Sequence, residues 1–281
     1  MTTPPLLTDR VALARNRARA LRKGFASFLH DDTAAEIEER LSEVNKTFTS
    51  PAIVTGYSAP WAAHWPDARV VADDEVLALD TGGHDLVIHA LALHWANDPV
   101  GQLVQCRRAL RADGLFICAM FGGQTLAELR AALAESESRL TGGLSPRVLP
   151  MGEIRDLGGL LQRAGFALPV ADANRRTVTY KTAFHLIADL RAMGEGNALT
   201  TRSRRKTPRA LFPEAARIYA DTYPAAEGRI AATFETIFLT GWAPDDSQQR
   251  PLRPGSASAR LADALGVREE PLRNTDTSAK D

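Results

Sequence analysis

The sequence predicts an α/β protein with a mostly parallel sheet and crossover helices, on three observations. Short apolar, β-branched runs at 52–55, 69–72, 86–89 and 115–121 alternate with stretches of helical periodicity. Two of those runs, Asp85-Leu-Val-Ile-His89 and Leu115-Phe-Ile-Cys-Ala-Met-Phe121, are apolar throughout rather than alternating, as strands covered on both faces must be. The chain, at 281 residues with 44% hydrophobic side chains, is long enough to bury a sizeable core as one large or two small domains.

Ahead of the sheet, residues 10–46 read as two helices. Arg10, Arg15, Arg17, Arg19, Arg22 and Lys23, set among alanines and leucines, give the first a basic amphipathic character that resembles a transit peptide. The pattern runs on through Phe25, Phe28 and Leu29 into an acidic helix with no small-residue cleavage site, so it reads as a solvated helix. Asp31 or Asp32 is the expected N-cap of the second helix, which carries Ile37, Leu41 and Val44 at helical spacing. Residues 100–110 form a further helix, closed by Arg111-Ala-Asp-Gly114, where Gly114 is expected to take the positive φ of the turn. Gly122-Gly123 opens a helix with Leu126, Leu129, Leu133 and Leu140, and glycines 142–143 break it. Another helix over 156–164 ends at Gly165 as the C′ residue. Strands at 176–180 and 230–239 follow, separated by a mostly helical insertion with Leu186, Leu190 and Met193 on one face. The Pro-, Ser-, Gln- and Arg-rich sequence from Pro244 on predicts an extended tail with one short helix near 259–265. The expected organisation is a helical arm over 1–46, a sheet domain over 47–243 with its insertion at about 181–229, and a tail over 244–281.

Composition narrows the function. With 34 basic and 34 acidic side chains there is no global field to draw nucleic acid or anionic lipid. No apolar run approaches the roughly 20 residues of a membrane helix. Cys106 and Cys118 make no disulfide framework and suit a reducing compartment, so a cytoplasmic location is expected. Arg202-Ser-Arg-Arg-Lys206 with Arg209 is the dense basic patch; lacking interleaved aromatics, it reads as a solvated loop or a docking surface for an acidic partner. His84, His89 and His94 fall at the two ends of a strand and in a loop, which is not a ligand set, so no metal site is expected.

The segment His84-Asp-Leu-Val-Ile-His-Ala-Leu-Ala-Leu-His-Trp-Ala-Asn-Asp-Pro99, followed by Arg108-Ala-Leu-Arg-Ala-Asp-Gly-Leu-Phe116, resembles the fourth and fifth strands of class I S-adenosylmethionine-dependent methyltransferases. Gly143-Leu-Ser-Pro-Arg147, Asp156-Leu-Gly-Gly-Leu-Leu-Gln-Arg-Ala-Gly-Phe166, Asp189-Leu-Arg-Ala-Met-Gly194 and Gly241-Trp-Ala-Pro244 resemble a narrower group, the methyltransferase-like assembly factors of respiratory complex I and their bacterial relatives. A more distant likeness is to the carrier-protein methyltransferase of biotin synthesis. The resemblance implies a Rossmann-like sheet of seven strands, with S-adenosylmethionine at the carboxyl ends of the strands, and a protein substrate or partner subunit of respiratory complex I.

The sequence departs from that pattern at the first strand. Val54 stands where the family has an acidic residue, and of the glycine-rich turn Gly56 alone remains, with Ser58 and Pro60 at the other positions. Glycines let the backbone approach a ligand closely, and serine and proline restore neither the space nor the freedom. Asp73 follows Gly56 by only 17 residues, where a full strand–helix–strand unit needs roughly 30. The sheet is therefore expected to be shortened between its first and third strands, or else Asp73 or Asp74 ends a surviving second strand and serves the ribose directly. Gly56, Tyr57, Ser58, Asp73, Asp74, His89 and Ala90 are the cofactor-binding candidates. His94 and Trp95, just past the fourth strand of the pattern, are the catalytic ones, His94 because its ordinary pKa suits proton transfer. Two functions stay open: a methyltransferase acting on a protein, and a non-catalytic assembly protein on a degenerate methyltransferase scaffold.

Overall fold

Four parallel strands form one side of a six-stranded sheet in the computed structural model, which describes residues 6–249. The strands are β1 (Pro51–Thr55), β2 (Arg69–Val71), β3 (His84–Ala90), β4 (Leu110–Phe121), β5 (Ala167–Tyr180) and β6 (Ile230–Trp242). Their order is β2-β1-β3-β4-β6-β5, with β2, β1, β3 and β4 mutually parallel and β6 antiparallel to both of its neighbours. β2 lies directly against β1 and is the edge of the sheet, so the sheet is shortened on that side among the described residues. Six strands, not seven, make up the sheet among the described residues.

Helices cover both faces, as apolar strands require. The helices are α1 (Arg10–Lys23), α2 (Phe28–Ser42), α3 (Ser58–His64), α4 (Pro99–Ala109), α5 (Ala127–Thr141), α6 (Ile154–Arg163), α7 (Ala183–Ala192) and α8 (Leu211–Thr222). Strand alternation divides the core in two. Ile53, Ile88 and Ile117 face Ile37, Leu129, Leu186 and Tyr219, from the helices of one side. Val54, Val87 and Phe116 face Leu103 and Leu161, from α4 and α6 on the other. Residues 250–281 of the predicted tail, including the short helix near 259–265, lie outside the described residues.

Three local expectations are corrected. The second helix starts one turn earlier than Asp31, at Phe28, and Ser27 is its N-cap residue; Asp31 lies in the first turn, where its carboxylate favours the positive end of the helix dipole. Residues 111–114, expected as a turn, lie inside β4, where Asp113, at φ 55°, and not Gly114 takes the left-handed conformation; a short polar side chain tolerates it. The helix after Gly122-Gly123 begins only at Ala127, because the carboxylate of Glu235 meets the backbone N–H of Gln124 and holds residues 122–126 in a turn.

Phe116 is wholly buried and stacks on Phe166 with ring centroids 4.8 Å apart. Phe116→Ala is expected to lower the unfolding free energy by about 3–5 kcal/mol, measured by urea denaturation.

Candidate functional site

The carboxyl ends of β1, β2, β3 and β4 converge on one rim. Leu91, at φ 46°, turns the chain out of β3 into a short 3₁₀ turn, Leu93–Trp95, which carries His94 and Trp95. Asp73 leaves β2 and is 3% exposed, while Asp74 beside it points to solvent. Buried Asp73 is held by three side chains, two of them on its carboxylate. Arg17 of α1 donates to both of its oxygens, at 2.6 and 3.0 Å, and Arg10 reaches it at 3.1 Å. Gln102 donates to the main-chain carbonyls of Asp73 and Asp74. Burial raises the Asp73 pKa, but the hydrogen bond and charge of Arg17 outweigh that and hold the carboxyl at about 2.

Arg17 reaches this far because it lies on the buried stripe of α1, with Ala12, Leu13 and Ala20. Its guanidinium rests over Gly56, where a β-carbon would collide with it, and 5.7 Å from the centre of the Tyr57 ring. Tyr57 closes the same space from the side. Its hydroxyl donates to the Met193 carbonyl at 2.9 Å, and its ring packs against Phe25 and His30.

A third carboxylate enters from α7. That helix ends in a left-handed Gly194 at φ 76°, with the N–H of Glu195 bonded to the Leu190 carbonyl and that of Gly194 to Arg191. This glycine-terminated cap reverses the chain and aims Glu195 at the rim. Its carboxylate accepts from Trp95 Nε1 at 2.8 Å and lies 3.4 Å from His94 Nε2. Burial raises the Glu195 pKa, yet the His94 hydrogen bond, the His94 and Arg17 charges and the Trp95 hydrogen bond together hold it below the usual range. His94 Nδ1 is buried without a hydrogen-bond partner.

Next to this trio is a cavity of about 210 Å³. Phe121, Leu129, Leu133, Leu190 and Phe234 wall it, His94, Trp95 and Glu195 form one end, and Arg147 and Arg191 also line it. Arg147 is committed to Glu137 at 2.7 Å, whereas Arg191 is exposed.

The predicted residues thus divide. Gly56, Tyr57 and Asp73 meet around Arg17, and His94 and Trp95 meet at Glu195. Ser58, the first residue of α3, is exposed. Ala90 is a core residue of β3. His89 points to α4, where its Nε2 meets the Gln102 side-chain carbonyl at 2.7 Å; since the Gln102 amide donates to Asp73 and Asp74, that histidine nitrogen is the donor. Two residues of the basic patch, Arg202 and Arg204, pair with Asp9, the N-cap of α1, and Arg205, Lys206 and Arg209 are exposed. Sequence reasoning missed Arg10, Arg17 and Glu195. Gly194 after a helical stretch was the available signal for Glu195, whereas no local pattern marks Arg17 as buried. Among the described residues no group of three His, Cys, Asp or Glu side chains is placed to hold a metal ion.

The family model described as a methyltransferase domain matches residues 33–118. The chain is 39% identical over 198 residues to the mitochondrial arginine-hydroxylase NDUFAF5 of Danio rerio, covering 70% of this chain and 61% of that protein. It is 36% identical over 188 residues to the malonyl-[acyl-carrier protein] O-methyltransferase of Laribacter hongkongensis, covering 67% and 61%. Among solved structures, it is similar to the phosphoethanolamine N-methyltransferase 2 of Haemonchus contortus in complex with S-adenosyl-L-methionine, with a TM-score of 0.42 and 11% identity over 76% of this chain and 53% of that one. The chain thus carries, over residues 33–118, a segment that matches a methyltransferase domain. The chain spans about three fifths of the length of the curated relatives it matches.

S-adenosylmethionine is the cofactor that goes with this domain. The crevice at Gly56 does not fit it as folded, because Arg17 occupies the surface that the glycine leaves open and Asp73 is already bonded to two arginines.

Burial fixes the acid response of two histidines here. His30 and His89 are both held neutral by desolvation, with pKa values lowered from 6.5 to about 4. The unfolded chain takes up a proton on each near pH 6.5, whereas the folded protein resists until about pH 4, so stability falls across that window as pH drops. Each histidine is expected to remove up to about 3 kcal/mol. Urea denaturation at stepped pH checks this, and His30→Gln is expected to flatten the slope.

Proposed function

We propose that this protein is a methyltransferase-fold enzyme acting on a side chain of a protein substrate, in the assembly of respiratory complex I and in the cytoplasm. The observation that carries the reading is the rim cavity, apolar along its walls and closed at one end by Glu195, His94 and Trp95. Its volume exceeds the roughly 150 Å³ that accepts a benzene-sized group, so one extended side chain fits. An ionised Glu195 disfavours a carboxylate acceptor such as the malonyl group named for one relative, and favours a cationic one. The arginine named for the NDUFAF5 relatives has that chemistry: an aliphatic stem for the Leu129 and Leu133 wall and a guanidinium for Glu195. Within the pocket, Trp95 fixes the carboxylate by a hydrogen bond, His94 supplies a second contact, and the apolar walls exclude water.

A second reading is favoured by a different observation. Arg17 over Gly56 leaves the cofactor crevice filled, which suits an assembly protein that presents the methyltransferase scaffold without catalysis.

Calorimetric titration with S-adenosylmethionine separates the two: micromolar dissociation supports the enzyme, and no heat at millimolar ligand supports the scaffold. In a strain lacking this protein, the enzyme reading also expects complex I activity to be restored by the wild-type chain. Leu129→Trp, which fills the cavity, is expected to restore less than about a tenth of it while keeping its melting temperature within a few degrees.

A further inference from the structure

We infer that the mouth of the rim cavity reads acidic residues beside the arginine of a substrate segment, through Arg191 and a cationic loop over residues 200–210 that joins two walls of the cavity. This rests on the cavity taking an arginine, as the enzyme reading requires, and it needs nothing from the crevice at Gly56. The inner end suits a cation in one further respect. Both contacts of the Glu195 carboxylate, with Trp95 and His94, fall on Oε2, and Oε1 has no hydrogen bond among the described residues. A guanidinium entering the cavity therefore meets an oxygen that no residue of the chain already occupies.

The loop is tied to the cavity at both ends. Asn197, a lining residue, donates to the Pro146 carbonyl and accepts from the Leu199 N–H. At the other end Phe212, in the first turn of α8, lines the cavity again, and Ser136 of α5 donates to the carbonyl of Leu211 beside it. Between these anchors the chain carries five cations and no acid, and Arg202 and Arg204 are paired with Asp9. Arg205, Lys206 and Arg209 are exposed, and among the described residues none of their side chains meets a carboxylate. Arg209 stands just ahead of α8, where the helix dipole favours an anion over a cation, so the fold gains nothing from its charge. Arg191, exposed and lining the cavity, has no acidic partner among the described residues either, whereas the other lining arginine, Arg147, is bonded to Glu137. Each free cation of the loop lies within a span of at most about 25 Å of extended chain from a lining residue, which a peptide of about seven residues also covers.

A ligand that answers this arrangement carries both signs of charge, a cation for Glu195 and anions for the free cations outside. A protein segment with an arginine among glutamates or aspartates does so. A nucleic acid or an anionic lipid surface brings phosphates to the loop but no cation to the inner end, and the loop lacks the aromatics on which bases stack. Each exposed charge pair contributes little by itself, but four of them act on one bound segment and favour the sequence that matches them. Recognition of the arginine is thereby separated from selection of the residues around it.

Binding of fluorescein-labelled peptides to the full chain is measured by anisotropy. One peptide has a central arginine flanked by glutamates, the second has the same arginine flanked by glutamines, and the third has leucine in place of the arginine among glutamates. Wild type is expected to bind the first about tenfold more tightly than the second, with the gap narrowing as salt rises. Arg191→Gln, and a variant combining Arg205→Gln, Lys206→Gln and Arg209→Gln, alter exposed positions. Each is expected to cut that preference at least about threefold while the glutamine-flanked peptide keeps its affinity. Full preference kept by either variant, or equal binding of the two arginine peptides by wild type, overturns the acidic-flank reading. The arginine site still stands in that case if the leucine peptide binds more weakly than its arginine counterpart. A leucine peptide bound as tightly as that counterpart, or no binding of any peptide, overturns both. Displacement of the glutamate-flanked peptide by duplex DNA or by phosphatidylglycerol vesicles more readily than by unlabelled peptide assigns the loop to phosphates and overturns the proposal.

Discussion

The bond between Arg17 and Asp73 organises the functional half of this molecule. It joins the N-terminal helix to the end of an edge strand that has only three residues in register, and it does so in a buried place where neither charge has water to fall back on. Removing one partner of such a pair strands the other, which typically costs about 3–5 kcal/mol. Arg10 shares the carboxylate, so the charge is balanced twice. The position of α1, the filling of the space over Gly56 and the orientation of the Asp73 carbonyl toward Gln102 all follow from it.

The rim is also a row of carboxylates that stay ionised under burial because each has its own cation or donors. Asp73 has the two arginines, and Glu195 has Trp95 and His94. These two centres occupy neighbouring parts of one edge but serve different tasks. The first closes the crevice beside β1, and the second terminates an apolar cavity. Chain reversal at Gly194 links them physically, since the same turn presses against the Tyr57 hydroxyl on one side and delivers Glu195 on the other.

The central sheet was legible in the sequence because strands covered on both faces cannot hide their composition: the apolar runs ending at His89 and at Phe121 lie within β3 and β4, although β4 begins five residues earlier than its apolar run. The shortening beside the first strand was legible for an equally simple reason, the lack of chain length between Gly56 and Asp73. Helix starts were less so. Asp31 has the chemistry of an N-cap and sits instead in a first turn, because the helix extends backward to bury Leu29 in the core. The site was legible only in its local parts. His94 and Trp95 stand in one motif, but their partner Glu195 is about 100 residues away, and Arg17 meets Asp73 across 56 residues. Pairings of that kind are fixed by tertiary packing, and a basic residue in a basic helix carries no mark that separates it from its solvated neighbours.

The far edge of the sheet has a consequence for the behaviour of the protein in concentrated solution. β5 is a 14-residue strand whose outer side pairs with no other strand among the described residues, the kind of margin along which molecules adhere into aggregates. Pro169 removes a donor near its start, and the register slips between Ala167 and Val170. Further along, Asp172 and Arg176 are drawn into ion pairs with Arg40 and Asp32 of α2. The longest strand of the fold is thereby guarded against stacking with its own kind by irregular backbone at one end and bound charge along the remainder.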